Sequence, residues 1–356
     1  MHLHRTGAAD LAELLRLDDV DHLLTETAIR TPAVRIAQDG SVLPESAYTR
    51  GASLAGRPLT GLLDPRRVLA LYDGGATVVL QGLHRYWPPL TRLVAELEVE
   101  LGHPCQANAY LTPPGAQGFA VHSDSHDVFV FQTSGSKLWE VHGADGVEDV
   151  LLEPGLSMYL PTGTRHAARA QDGASLHVTI GINQLTWRGL LRRAVLPVLD
   201  AVPDEHLPAG YLDDPAPLVD GLSARLESFT AALRALPADS VVEEEITRFL
   251  TTRPTRQRAG LTDRVAVRAL DDQTLLRRRD GHPCVLVGVR GDPGRLRVLL
   301  GDRHLDVPER LRPALEEVRR RRELRPADLA DALDPGSRVV LCRRLVGEGL
   351  LEVLGG

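Results

Sequence analysis

The segment PPGAQGFAVHSDSHDVFVFQTSGSKLWEVH (113–142), followed by YLPTGTRHAA (159–168), contains the pattern that decides the fold. Short runs of β-branched and aromatic residues alternate there with Gly, Ser and Pro turns, a spacing typical of a sandwich or barrel. The β-type runs in and around it are TVVL (77–80), FAVHSD (119–124), VFVFQ (128–132), KLWEVH (137–142), SMYL (157–160) and SLHVTIGI (175–182). We therefore predict a β region from about residue 76 to 183.

Outside this region the pattern changes twice. Residues 1–75 are mixed, whereas 187–253 are helical, with an apolar seam at helical spacing formed by Leu222, Leu226, Phe229, Leu233 and Leu236. This seam buries against the same chain or against a second copy. From residue 256 onward, short strands precede a helix, a DPGS turn, a second helix and a terminal strand, an order that suggests a winged helix. The predicted boundaries are 1–186, 187–255 and 256–356, in an α+β chain.

Composition narrows the class of protein. The 356 residues are 43% apolar with a net charge of −7, which predicts a soluble globular chain and argues against wholesale nucleic-acid binding, although basic residues can still cluster locally. Three scattered cysteines do not make a disulfide framework, and no apolar run approaches the roughly 18 residues of a membrane helix. The N-terminus lacks the apolar core of a signal peptide, so we expect a cytoplasmic protein with no membrane association.

Histidines and an aspartate cluster in the decisive segment. In an extended strand His122, Asp124 and His126 would share one face, which is costly to bury in an apolar sheet without a partner. His166 follows the Pro161–Gly163 turn and would complete the set from a neighbouring strand. The pattern therefore predicts a metal site.

Two imidazoles and one carboxylate with open positions opposite are typical of non-haem Fe(II) oxygenases, whereas structural zinc sites use four protein ligands. The metal ligands would be His122, Asp124 and His166. His126 remains an alternative to either histidine or a neighbour of the ligands. The alternative without chemistry is a degenerate barrel that binds no metal.

The only lysine of the chain, Lys137, begins the strand KLWEV, whereas the other 40 basic residues are arginines. Fe(II) with one aspartate leaves a charge of +1, and a dicarboxylate such as 2-oxoglutarate brings −2, so one ammonium would restore neutrality. Asn108 in QANAYL is a second candidate for this ligand. Ser175, His177, Thr179 and Asn183 form a polar strand face, which indicates either a ligand cavity or a solvent-exposed strand.

HSDSHDVFVFQTSGSKLWEVH with YLPTGTRHAA resembles the JmjC/cupin-type Fe(II)- and 2-oxoglutarate-dependent oxygenases, in particular the ribosomal oxygenases. The resemblance implies a double-stranded β-helix (jelly-roll) catalytic domain, a helical dimerisation domain and a C-terminal winged helix. It also implies iron binding by His122, Asp124 and His166. Lys137 and Asn108 would bind 2-oxoglutarate, with Thr179 assisting.

The function implied is a dioxygenase that uses O₂ to hydroxylate a histidine or arginine of a ribosomal protein. A lysine rather than an arginine for the co-substrate favours a histidine target, and a homodimer is expected. Two alternatives remain: the same chemistry on a small molecule or natural-product peptide, and a non-catalytic sensor with a DNA-contacting winged helix. A protein substrate would need an open cleft, for which the aromatic run HRYWPP (84–89) offers either a lining or core residues.

Overall fold

The computed structural model of the chain describes residues 1–117, 119–143 and 146–354. It divides into two compact units, Met1–Gln184 and Leu185–Gly356. The division falls two residues from the predicted end of the first domain, whereas the further boundary at residue 255 stays a prediction. No helix among the described residues is both long and apolar enough to span a membrane.

The first unit consists mainly of antiparallel strands. Its strands are β1 (His2–Arg5), β2 (Val34–Gln38), β3 (Ser41–Val42), β4 (Thr49–Leu54), β5 (Arg57–Leu63), β6 (Thr77–Leu80), β7 (Cys105–Thr112), β8 (His122–Ser123), β9 (Asp127–Ser134), β10 (Lys137–Gly143), β11 (Gly146–Leu152), β12 (Leu156–Leu160), β13 (Arg165–Ala170) and β14 (Ser175–Ile182). Its helices are α1 (Ala8–Ala12), α2 (Leu17–Thr25), α3 (Pro65–Asp73) and α4 (Pro88–Leu101).

Two sheets position the site. The larger has the order β1-β12-β9-β14-β7-β6-β2-β3, and the smaller has the order β11-β10-β13-β8. Crossovers such as β12 pairing with both β1 and β9 place strands distant in sequence side by side, as in a jelly roll. Trp139 of the smaller sheet contacts His177 of the larger one, with ring centroids 5.3 Å apart, so the two sheets face each other.

The two faces of the larger sheet differ because alternate residues point to opposite sides. Ile36, Val78, Leu111 and Leu176 lie in one cross-strand row within the main apolar core. One residue further along, the opposite face carries a mostly polar row, which is Arg35, Val79, Tyr110, His177 and Gln132. The sheet therefore has an apolar face toward the core and a polar face toward the smaller sheet.

Helix ends in this unit follow local chemistry. Asp64 caps α3 by accepting hydrogen bonds from the backbone N–H groups of Arg66 and Arg67, with a proline at the first helical position. Gly102 ends α4 in the left-handed conformation that suits glycine. The helix α4 was missed, because the β region predicted for residues 76–183 contains it.

The second unit combines helices with two small sheets. Its helices are α5 (Trp187–Asp200), α6 (Ala216–Arg234), α7 (Ala238–Phe249), α8 (Gly260–Ala266), α9 (Arg312–Arg320) and α10 (Pro335–Gly347). Its strands are β15 (Leu276–Arg278), β16 (Val285–Val289), β17 (Asp292–Leu299), β18 (His304–Pro308), β19 (Glu323–Leu324) and β20 (Leu351–Val353). They form the sheets β19-β15-β20 and β16-β17-β18, whose apolar residues share a core with α9 and α10.

The first half of the predicted helical seam is exposed in the single chain. Leu222 and Leu226 are 55% and 53% exposed, and neither α5 nor α6 contains a buried residue. Leu236 lies beyond the end of α6, so the predicted seam is longer than the helix. The sequence allowed the seam to be buried within the same chain or against a second copy. The first of these alternatives is therefore wrong for the first half of the seam.

Candidate metal centre

Two neighbouring strands bring the predicted ligands together. His122 on β8 lies directly opposite His166 on β13, with ring centroids 4.5 Å apart. Asp124 follows β8, and its Oδ2 lies 3.8 Å from Nε2 of His166. One ligand atom from each of these three residues lies within 4.8 Å of the others, a separation that one metal ion can bridge.

Backbone carbonyls orient both imidazoles. Nδ1 of His122 donates to the carbonyl oxygen of Ala120 at 2.9 Å, and Nδ1 of His166 donates to that of Thr164 at 3.0 Å. Because a carbonyl only accepts, each ring has a proton on Nδ1, and in the neutral imidazole the lone pair is then on Nε2. Burial also lowers the pKa of His166, which favours the neutral, ligating form. The arrangement matches the hydrogen-bonded histidines of metal sites.

A buried ammonium lies in the same cavity. Lys137 at the start of β10 is 3% exposed, and its Nζ donates to Oγ1 of Thr112 at 2.9 Å. Thr112 also accepts a hydrogen bond from Oγ1 of Thr77 at 3.1 Å. Burial lowers the pKa of Lys137 to about 7. No carboxylate pairs with Lys137 within the described part of the chain, so an anion entering the cavity would meet an uncompensated cation.

Asn108 and Thr179 lie opposite each other on β7 and β14. Oδ1 of Asn108 accepts from the backbone N–H of Gly82 at 3.0 Å, which leaves its NH₂ group as a donor toward the cavity. Thr179 is hydrogen-bonded to the hydroxyl of Tyr110, whose pKa is raised by burial. Both predicted residues therefore line the cavity, as polar groups already oriented by a neighbour.

The cavity has a volume of about 230 Å³ and is bounded by both sheets. Two buried nitrogen atoms in its wall, Nε1 of Trp139 and Nδ1 of His177, have no hydrogen-bond partner among the residues that the structure describes. Buried polar atoms without partners are rare in folded proteins, so these atoms indicate a bound polar ligand or water. The donor set thus fits a divalent ion, and the unpaired polar atoms together with Lys137 fit an acidic small molecule beside it.

Two further residues that the sequence singled out, His126 and Asn183, are not among the possible metal ligands. His126 lines the cavity but does not belong to the group of three possible ligands, and the predicted extended strand 119–124 is ordered as a strand only at His122–Ser123. Asn183 is exposed and does not line the cavity.

The aromatic run HRYWPP lies away from the cavity. His84 is buried and accepts a hydrogen bond from the backbone of Ala107, and Trp87 packs on the apolar core. Tyr86 is at the surface, where its hydroxyl donates to a backbone carbonyl. Of the two readings offered for this run, the core reading holds for His84 and Trp87.

Sequence reasoning missed several cavity residues, which are Arg35, Thr77, Tyr110 and Trp139. It also missed Thr112, whose hydroxyl accepts the hydrogen bond from Lys137. Tyr110 and Thr112 follow Asn108 at alternate positions of β7, so the period of two of a strand, which the prediction of Asn108 did not use, places all three side chains on one face. Arg35 and Thr77 come from strands whose pairing the sequence does not reveal.

Comparison with known proteins agrees with the resemblance to JmjC-type oxygenases that the sequence motif indicated. A family model described as a JmjC domain matches residues 85–146 and 142–190. The chain is 36% identical over 184 residues to the bifunctional lysine-specific demethylase and histidyl-hydroxylase NO66 of Branchiostoma floridae, covering 49% of this chain and 30% of the relative. It is 29% identical over 282 residues to ribosomal oxygenase 1 of Homo sapiens, covering 68% of this chain and 41% of the relative. The chain spans less than half the length of these curated relatives.

Solved structures share the fold along the whole chain. The crystal structure of Escherichia coli ribosomal oxygenase YcfD aligns with a TM-score of 0.55 at 18% identity, covering 99% of this chain and 100% of YcfD. A structure of YcfD in complex with cobalt and 2-oxoglutarate aligns with a TM-score of 0.52, also at 18% identity, covering 96% of this chain and 91% of that one. The chain therefore has a JmjC/cupin-type fold and is a homologue of the ribosomal oxygenases.

Proposed function

We propose that this chain is an Fe(II)- and 2-oxoglutarate-dependent oxygenase that hydroxylates a histidine side chain of a ribosomal protein. One observation supports this most strongly. One nitrogen from each of two imidazoles and one carboxylate oxygen converge within 4.8 Å, in a cavity that also contains one buried ammonium with no carboxylate partner among the described residues. A three-ligand site leaves coordination positions open for a co-substrate and O₂.

The protein's own residues have distinct tasks in this proposal. His122, Asp124 and His166 would hold the metal, with the two Nδ1–H groups fixed by backbone carbonyls. Lys137 would donate to the distal carboxylate of 2-oxoglutarate, and the NH₂ group of Asn108 would donate to the same ligand. Bound Fe(II), with 2-oxoglutarate and O₂, supplies the power to oxidise a C–H bond, while the protein supplies orientation and shields the site from water.

A polypeptide substrate is favoured by access to the site. His166 is buried, but His122 is exposed, so one side of the metal site can be reached from the surface. A histidine target is supported by Lys137, by the resemblance, and by relatives whose names include histidyl-hydroxylase. A ribosomal substrate implies action in the cytoplasm.

The test uses ribosomes from a strain that lacks this gene. Incubated with the purified protein, Fe(II), 2-oxoglutarate and air, one ribosomal protein should gain the mass of one oxygen atom, and fragmentation should place it on histidine. Oxygen on arginine would overturn the histidine assignment. Turnover of 2-oxoglutarate without modification of any ribosomal protein would overturn the ribosomal substrate, and no turnover at all would overturn the oxygenase.

Matched histidine variants distinguish metal binding from general damage. His166→Ala should abolish turnover of 2-oxoglutarate. His142→Ala should not, because His142 lies on β10 outside the cavity and its Nε2 is bonded to Glu140 at 2.7 Å. Equal loss in both variants would contradict the assignment.

We also propose that residues 187–255 form a helical dimerisation domain and 256–356 a winged-helix domain. Exposed apolar side chains on α5 and α6 support the first, namely Trp187, Leu191, Leu222 and Leu226. A second copy would remove these side chains from water. The order of α9, α10 and β20 supports the second, although the DPGS segment predicted as a turn instead begins α10, with Asp334 as its N-cap.

The ion pairs of the arginines argue against the alternative in which the winged helix contacts DNA. Arg320 and Arg321 pair with Glu317, Arg322 pairs with Asp280, and Arg344 pairs with Glu348. These arginines are therefore largely neutralised by neighbouring carboxylates.

Light scattering during gel filtration tests the dimer. The wild-type protein should have twice the mass of one chain, and Leu222→Glu with Leu226→Glu should reduce it to one. A wild-type monomer would overturn the dimer without affecting the oxygenase proposal.

A further inference from the structure

The carboxylate of Asp127 holds the turn that precedes His166. Asp127 begins β9, three residues after Asp124. Its Oδ1 accepts hydrogen bonds at 2.7 Å from both the backbone N–H and the hydroxyl of Thr162. Its Oδ2 accepts from the hydroxyl of Tyr159 on β12 at 2.5 Å. One side chain thus receives three hydrogen bonds from the segment that leads into β13.

The same turn is bonded to both sides of the metal site. The backbone N–H of Gly163 donates to the carbonyl oxygen of Asp124 at 2.9 Å. Two residues before His166, the carbonyl oxygen of Thr164 accepts from Nδ1 of that ring. The turn therefore contacts one ligand residue through its backbone and another through its ring, and Asp127 fixes the turn between them.

Only a carboxylate satisfies all three donors. An ionised carboxylate has two oxygen atoms that accept and none that donates, whereas an amide has one accepting oxygen and one donating NH₂ group. In Asp127→Asn the NH₂ group must face either Tyr159 or Thr162. Although burial alone would raise it, the hydrogen bonds from Tyr159 and Thr162 keep the pKa of Asp127 below its usual value, so the acceptor form is present at neutral pH.

We propose that Asp127 is a positioning residue of the metal site, which sets the placement of His166 relative to Asp124 without touching the ion. This inference rests on the metal centre of the proposed function. Groups that orient metal ligands typically change metal affinity about 10–100-fold when they are mutated. The residue is absent from the group of possible ligands, so its effect must pass through the turn.

The test titrates Co(II) alone into the purified protein and follows its visible absorption and its affinity against a chelating dye. Asp127→Asn should weaken Co(II) affinity by about 10–100-fold and change the absorption of the bound ion. Asp149→Asn, an exposed aspartate on β11, is the matched control and should bind like wild type. Circular dichroism and thermal unfolding report whether each variant is folded.

Tyr159→Phe provides a milder second variant, because it removes one donor and leaves both bonds from Thr162. It should weaken Co(II) binding less than Asp127→Asn does, and it keeps the proposal testable if the aspartate variant fails to fold. Wild-type affinity and spectrum in a folded Asp127→Asn protein, even with lower thermal stability, would show a purely structural role and overturn the proposal. A wild-type protein that binds no Co(II) would instead overturn the metal centre itself.

Discussion

Replacing Lys137 by methionine should affect stability and co-substrate binding in opposite directions. Lys137 is 3% exposed, and its ammonium donates a hydrogen bond to the hydroxyl of Thr112. Methionine is unbranched, flexible and apolar, so it can follow the path of the lysine stem without a charge. The variant therefore removes a buried cation while largely keeping the packing of the cavity wall.

The structure sets the expected magnitudes. A pKa lowered from 10.5 to about 7 corresponds to on the order of 5 kcal/mol against the charged form, since each pH unit is worth about 1.36 kcal/mol. Replacing buried charges by well-packed apolar side chains often stabilises a protein by about 1–4 kcal/mol, which is the gain expected here for the metal-free protein. Losing one partner of a buried charge pair with 2-oxoglutarate should cost about 2–5 kcal/mol, or roughly 30-fold to several thousand-fold in affinity.

Two measurements check this prediction. Urea denaturation of the metal-free protein gives the free energy of unfolding, and calorimetric titration of 2-oxoglutarate into the Mn(II)-loaded protein without air gives the affinity. Leu138→Met, at the next position of β10 and facing the other side of the sheet, should leave the affinity unchanged. Lys137→Met protein that binds 2-oxoglutarate as tightly as wild type would refute the assignment of the ammonium.

Three further predictions concern the same cavity. Burial lowers the pKa of Lys137 to about 7, and the 2-oxoglutarate dianion needs the protonated amine. Affinity for 2-oxoglutarate should therefore fall as the pH rises above 7, approaching about tenfold per pH unit. The same calorimetric titration should show this fall in wild type but not in Lys137→Met. Asn108→Asp keeps the acceptor for Gly82 but replaces the inward donor by a negative charge, so 2-oxoglutarate affinity should fall while circular dichroism stays unchanged. His126→Ala should leave Co(II) affinity unchanged, since His126 lies outside the group of ligands, and a loss like that of His166→Ala would make it a ligand.

The pattern of the site was readable from local sequence because its residues lie on regular strands. Alternation along β7 and β14 places Asn108 and Thr179 inward, and the rarity of lysine points to Lys137. The spacing of His122, Asp124 and His166 predicted their convergence, although the extended strand assumed for it ends at Ser123. The three side chains still converge because β8 pairs with β13 at His122 and His166. A continuous strand through Asp124 is not needed for this.

By itself, the sequence determined the β region, the helical segment after it, and the chemical types gathered in the site, since period and composition are local properties. Only the tertiary structure decided which distant strands are neighbours. Pairing of β2 with β6 and of β6 with β7 brings Arg35 and Thr77 to the cavity, and the turn before β13 meets Asp127 across 35 residues. Such contacts depend on sheet order and register, which result from burying one face of every strand at once and are not encoded in any single segment.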